Sequence, residues 1–340
     1  MISRRNMLLS GAAMIGMSAC ARTVQAHHAR LGPLEVRDPE FKTLIAPDAE
    51  LEVLDSGYEW SEGPTWDRAR ETLYFTDVPK NVAFQWSASG RAEEFLNPSG
   101  AASVTGFREP GANGLWYSQR GDLIMCNHGL RRIERMDIQT QTRTPIADAF
   151  EGQRFNSPND VVEAADGTLY FTDPPYGLEG LDESPLKEMD VNGVYRVRPG
   201  QPVERIIADM TFPNGVALSP DGRKLYVSQS DPAAPHIREL TLDSDGSITG
   251  QRILFDATAL MDDDHPGLPD GMAVSDSGHI FATGPGGILV LATDGRLLGR
   301  ILTGRATANC AFGEDGKTLF ITAHDRLLRL RTEASGVQWM

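Results

Sequence analysis

Six residues with oxygen-bearing side chains open six similar stretches of this chain: Glu62, Asn113, Asn159, Asn214, Asp270 and Asn309. Brought together, they form a ring of two carboxylates and four amides. Such a ring is costly once withdrawn from water, because each polar group then needs a partner. One bound cation satisfies them jointly. Carboxylate and amide oxygens are hard donors that suit Ca²⁺, Mg²⁺ or Mn²⁺. The competing reading is structural: taken singly, each residue caps a strand end through a side-chain bond to backbone.

The elements that must position these residues follow from the repeat. The stretches read EGPTWDRARETLYFTD, NGLWYSQRGDLIMCNH, NDVVEAADGTLYFTD, NGVALSPDGRKLYVSQS, DGMAVSDSGHIFATGP and NCAFGEDGKTLFITAH. Each is a β-hairpin by its chemistry. Asp166-Gly167, Asp221-Gly222 and Asp315-Gly316 are turn dipeptides, and the flanking LYF, LYV and LFI runs are strand formers. Further strands follow each hairpin, among them VAFQWSA, GVYRVRP and GILVLAT. A period of about 50 residues with four short strands per unit predicts an all-β fold, a six-bladed β-propeller, and the oxygen ring makes its central channel the expected metal-binding one. A β-sandwich or a pair of β domains suits six matched units poorly. In a propeller the first strand of each blade lines the channel, so the six ring residues are expected at one mouth. The second strand returns there with Asp77, His128, Asp173, Ser230, Gly284 or His324. The LEVLDSG run at Leu51 to Gly57 is a strand that can complete the last blade and close the ring.

Composition removes other classes. The 340 residues carry 32 Lys and Arg against 47 Asp and Glu, a formal charge of −15. Such a chain is a poor partner for nucleic acid or an anionic membrane. The three cysteines do not make a disulfide framework or a zinc site, and Cys126 and Cys310 sit in apolar runs as buried thiols or, alternatively, one disulfide. GxSxG and GxGxxG are absent, which argues against a serine hydrolase of that type and against nucleotide cofactors.

The first 26 residues read as a signal peptide. Arg4 and Arg5 precede an apolar run from Met7 to Ala19 that is too short to span a bilayer. The SRRNMLL string is similar to a twin-arginine signal, so the protein is expected to be exported to the periplasm. Cleavage after Ala26 is favoured, and lipidation of Cys20 in the MSAC string is the alternative. No other segment is transmembrane. Residues 27–49 form an N-terminal extension, and residues 50–335 form one propeller domain, expected as a monomer.

At the ring the sequence resembles the SMP-30/gluconolactonase/LRE family of six-bladed propellers. The matching strings are EGPTW at Glu62, FNSPNDVV at Phe155 to Val162, YFTDPPYGL at Tyr170 to Leu178, FPNGVALSPDG at Phe212 to Gly222, and PDGMAV at Pro269 to Val274. ATGPGGILV and TANCAFGEDGKTLFIT extend the likeness. The resemblance implies one divalent cation held by a Glu, two Asn and an Asp. On the matching motifs these are Glu62, Asn159, Asn214 and Asp270. Ca²⁺ is the first expectation, with Zn²⁺, Mg²⁺ or Mn²⁺ as alternatives. Some members carry a substrate-contacting Arg two residues before the first Asn; Ser157 stands there in this chain. NHGLRR, starting at Asn127, is similar to the bacterial gluconolactonase subgroup, which favours sugar lactones over phosphotriesters.

The expected activity is hydrolysis of an aldonolactone such as glucono-1,5-lactone. The cation polarises the carbonyl, and Asp270 or metal-bound hydroxide activates the water. Asn113, His128, Ser157 and Tyr176 are the candidate substrate contacts, Tyr176 being a weaker one, as is His324. For His128 a packed histidine is the plain alternative. Asp77 and Asp173 are read as turn caps. Asp262, Asp263 and Asp264 are read as a solvated loop or a lip over the channel. Two other functions compete: organophosphate or ester hydrolysis at the same metal, and a non-catalytic propeller that binds a ligand.

Overall fold

A computed structural model of the chain describes residues 30–31, 34–103 and 105–337. The signal peptide, the Ala26 cleavage site and Cys20 lie outside the described residues. Among those described, no helix is long and apolar enough to cross a membrane.

The six hairpins each extend into one antiparallel blade whose strands pair in chain order. Blade 1 spans residues 61–96, blade 2 112–147, blade 3 161–210, blade 4 213–256, blade 5 272–302 and blade 6 309–331. The turn glycines Gly167, Gly222 and Gly316 have φ of 84°, 67° and 87°. These values lie in the region that an Asp-Gly hairpin turn requires and that other residues seldom adopt.

Blade 6 supplies only three strands of its own. Leu51–Ser56 adds the next, antiparallel to Arg326–Arg331, with Leu51 opposite Leu330 and Ser56 opposite Arg326. The first part of the propeller thus closes onto its last part. The preceding segment is used as well. Leu34–Val36 extends blade 5 along Leu297–Leu302. The short helix Phe41–Leu44 buries Phe41 and Leu44 in the core shared by blades 5 and 6.

The core is divided among the interfaces between neighbouring blades, each with its own apolar cluster. At the closing interface Trp66 of blade 1 stacks on Phe320 of blade 6, with ring centroids 5.4 Å apart. Each fully buried large side chain contributes on the order of 2–3 kcal/mol. Because every blade is apolar on both faces, the polar residues of the inner strands are driven to the channel. Cys126 and Cys310 are free, buried thiols.

Candidate functional site

The channel ring is set by contacts between adjacent blades. Thr76 Oγ1 donates to Asn113 O at 3.1 Å, Thr172 Oγ1 to Asn214 O at 2.6 Å, and Ser228 Oγ to Asp270 O at 2.7 Å. Each bond ties the second strand of one blade to the first residue of the next. The glycine after a ring residue permits this approach. A Cβ on Gly63 would stand 2.2 Å from Asn113 O, and one on Gly215 would stand 2.2 Å from Asp270 O. The Asn-Gly and Asp-Gly pairs here are therefore close-approach sites rather than turns.

Five of the six ring residues meet at one mouth. Glu62, Asn113, Asn159, Asn214 and Asp270 line a cleft of about 680 Å³. Asn309 lies deeper and lines a second cleft of about 490 Å³ at the other end of the channel, beside Asp160. The amides form a directed chain. Asn113 Nδ2 donates to Asn159 Oδ1 at 2.9 Å, Asn159 Nδ2 to Asn214 Oδ1 at 2.6 Å, and Asn214 Nδ2 to Ser230 Oγ at 2.8 Å. Asn113 Oδ1 is buried with no partner.

The carboxylates at the ring are stressed. Burial pushes Glu62 up to about 8, and the charge of Asp160 adds to the effect. Asp270 is also raised well above the carboxylate range, first by burial and then by the charge of Glu62. Asp160 is raised by burial to about 6, although Val216 N and Val161 N both donate to it, at 3.1 and 3.0 Å. Like charges in a low dielectric hold protons unless a cation is present.

The other candidates separate. Tyr176 lines the cleft and stacks on Phe212 at 5.8 Å, and its buried hydroxyl has no formed hydrogen bond. Ser230 Oγ, near that hydroxyl, already donates to Pro269 O at 2.6 Å. His128 is fully buried behind the cleft, and neither ring nitrogen has a formed bond. Burial lowers it to about 4, so it is neutral at physiological pH. Ser157 does not line the cleft: its Oγ donates to Pro174 O at 2.6 Å and accepts from Gly177 N at 2.9 Å. His324 packs edge-on against Trp60 at 5.7 Å. Asp77 caps backbone, accepting from Glu59 N and Trp60 N. Asp173 does likewise, accepting from Asn156 N. Asp262 to Asp264 are exposed, while Met261, Gly267 and Leu268 of the same loop line the cleft.

Two features escape a reading of the repeats. Asp160 follows a ring residue and points to the deeper layer. Glu109 and Arg108 reach the cleft from the linker between blades 1 and 2. The repeat register marks Asp160's neighbourhood, but nothing in it marks a linker residue.

Among the described residues no three His, Cys, Asp or Glu side chains gather as a metal site. The oxygen set of the mouth is mixed instead, two carboxylates with amides. Asn159 Oδ1 and Asn214 Oδ1 each retain a lone pair beyond the bond from the neighbouring amide. Glu62, Asn159, Asn214 and Asp270 could therefore hold one hard cation.

Fold and cleft together define a six-bladed β-propeller with an oxygen-lined site at one mouth of its channel. The SMP-30/gluconolactonase/LRE-like region matches residues 60–325, and the chain belongs to that family. It is 40% identical over 334 residues to a gluconolactonase of Zymomonas mobilis, covering 96% of this chain and 94% of that one. A solved gluconolactonase of Xanthomonas campestris superposes with a TM-score of 0.77 at 31% identity, over 90% of this chain and 96% of that one. A lactonase of Staphylococcus aureus, drp35, is 32% identical over 279 residues, 78% of this chain and 76% of that one.

Proposed function

We propose that this protein hydrolyses a sugar lactone, such as glucono-1,5-lactone, to the aldonic acid. The likeness to gluconolactonases and lactonases over nearly the whole chain supports lactone hydrolysis. The observation that carries the site is the convergence of Glu62, Asn113, Asn159, Asn214 and Asp270 on one cleft with a buried, unpartnered amide oxygen.

In this reading Glu62, Asn159, Asn214 and Asp270 hold one divalent cation, with Ca²⁺ the first candidate. When bound, a divalent cation supplies Lewis acidity toward the lactone carbonyl oxygen. The remaining work belongs to the chain. Asp270, the most exposed of these four residues, takes a proton from the attacking water. Asn113 and Tyr176 receive the hydroxyls of the sugar ring. His128 backs the wall from beneath as a neutral imidazole. Trp60 flanks Glu62, with Nε1 3.4 Å from Oε1, and limits where that carboxylate can point. The leader directs the protein to the periplasm.

The test is acid release from fresh glucono-1,5-lactone by EDTA-stripped protein, with Ca²⁺, Mg²⁺, Mn²⁺ and Zn²⁺ added back separately. Cation-dependent acceleration over the spontaneous rate is expected. No acceleration with any cation, on this lactone or on pentono- and galactonolactones, would remove the reading.

A further inference from the structure

The cleft lining changes character from blade to blade. The linker before blade 2, blade 2 itself and blade 3 contribute Arg108, Glu109, Asn113 and Tyr176. The loops of blades 4 and 5 contribute Pro232, Met261 and Leu268. One arc is thus rich in hydrogen-bonding groups, and the next offers apolar surface. A sugar ring has the matching asymmetry, with hydroxyls at its edge and C–H groups on its faces.

Glu109 is held in place by several contacts. Arg108 N and Glu109 N both donate to Gly177 O, at 3.0 and 3.3 Å, which pins the linker to the loop carrying Tyr176. Pro110 O is packed so tightly that a Cβ on Gly100 would stand 1.9 Å from it, and one on Gly129 2.4 Å. The Arg108 guanidinium bonds Glu109 Oε1. Glu109 Oε2 stands 3.9 Å from His128 Nδ1, outside hydrogen-bond range. The side chain is only 13% exposed, at the edge of a cleft that also holds the unpartnered Asn113 Oδ1 and Tyr176 hydroxyl. A preorganised, mostly desolvated carboxylate beside two unpartnered polar atoms is built to receive hydroxyl donors. An anionic ligand is disfavoured, because even with Glu62 and Asp270 balanced by one divalent cation, Glu59 and Glu109 line the cleft against Arg108 alone.

We propose that Glu109 is a specificity-determining residue whose carboxylate accepts hydrogen bonds from the substrate's hydroxyls, with Arg108 as its positioning residue. The inference rests on the lactonase reading and deepens it: the site selects polyhydroxylated lactones over bare lactone rings. A buried acceptor left unpaired by the wrong substrate is an effective discriminator.

The test compares wild type, Glu109→Ala and Glu109→Gln on glucono-1,5-lactone and on δ-valerolactone, the same ring without hydroxyls. Binding of 1,5-anhydroglucitol, the hydroxylated ring without a carbonyl, is measured alongside by calorimetry. Glu109→Ala is expected to lower kcat/KM on the sugar lactone by about 10- to 100-fold and on the bare ring far less. It should also weaken 1,5-anhydroglucitol by about tenfold or more. Glu109→Gln, which keeps a carbonyl acceptor, should recover part of both losses. Equal losses on the two lactones with unchanged 1,5-anhydroglucitol binding would overturn the assignment and mark Glu109 as structural. If wild type hydrolyses neither lactone, the lactonase reading falls. Weaker 1,5-anhydroglucitol binding by Glu109→Ala would then still support the hydroxyl contact, and unchanged binding would end it.

Discussion

The two mouths of the channel are cut from the same six hairpins, yet they treat their polar groups differently. At the end where the hairpins turn, the polar groups of the cleft are paired within the protein. Asp160 accepts from Val161 N and Val216 N, Glu163 from Gln119 N at 2.9 Å, and Thr65 Oγ1 from Tyr117 N at 2.8 Å. At the end where the inner strands begin, Asn113 Oδ1 and the Tyr176 hydroxyl are left open. Glu62 and Asp270 are pushed up by burial at that same end. Buried polar groups without partners cost stability. Among the residues that line the two clefts, those with an unpartnered buried polar atom, Asn113 and Tyr176, both belong to this mouth, which supports it as the proposed ligand site although the opposite cleft is of comparable size. Cleft volume alone does not distinguish the two ends; hydrogen-bond accounting does.

The contrast can be broken from either side. Asp270→Ala should cut kcat/KM for glucono-1,5-lactone by about 10³-fold, because it removes both a carboxylate of the ring and the proposed base. Its melting temperature without cation should hold or rise, since a buried carboxyl crowded against Glu62 is gone. A variant that unfolds instead would make Asp270 a structural residue. At the turn end, Phe312→Ala should cost about 3–5 kcal/mol of stability while kcat/KM per folded molecule is kept. Phe312 is buried in the core shared by blades 5 and 6 and lines only the turn-end cleft. Loss of specific activity out of proportion to unfolding would show that the two mouths are not independent.

A pH series sharpens the comparison further. Glu62 is raised from the usual 4.5 to about 8, so the folded chain holds its proton more tightly than the unfolded chain does. The stability this confers is present at low pH and lost as pH rises from about 4.5 to about 8. In the proposed reading a bound cation would replace the proton. Ca²⁺ should therefore raise the melting temperature by several degrees at pH 8 and by less at pH 5. A cation effect that is the same at both values would contradict a stressed carboxylate ring. The smallest effect belongs to the solvated hairpin turn of blade 6. There the Arg331 guanidinium holds Asp315 down at about 2. That stability is present above the ordinary aspartate value and lost as pH falls through about 2. The pair is exposed, so Asp315→Asn should cost less than about 1 kcal/mol, seen as a small shift in acid unfolding. A larger loss would mean that blade closure depends on this pair.

Much of this architecture is legible in the amino-acid order. The hairpins repeat their turn dipeptides and their strand-forming runs, so the six blades follow. Leu51 to Ser56 reads as a strand and does close blade 6. The ring residues are found because each opens an inner strand. Three things are not legible. Leu34–Val36 is too short to announce that it extends blade 5. The depth of Asn309, one layer below the other ring residues, depends on how its side chain fills the space over Gly271, where a Cβ would stand 2.0 Å from it. Glu109 lies in a linker outside the repeat, and only the bonds to Gly177 O bring it to the cleft. Ser157 illustrates the converse: its position beside Asn159 in the chain does not place it on the same wall.

The most direct test of the central claim is a cation titration of glucono-1,5-lactone hydrolysis by three stripped proteins in parallel: wild type, Asp270→Ala and Phe312→Ala. The account predicts saturable, cation-dependent turnover in wild type and, after correction for folded fraction, in Phe312→Ala, with none above background in Asp270→Ala. Cation-independent turnover in all three would contradict it, because the oxygen-lined mouth would then not be the site of chemistry.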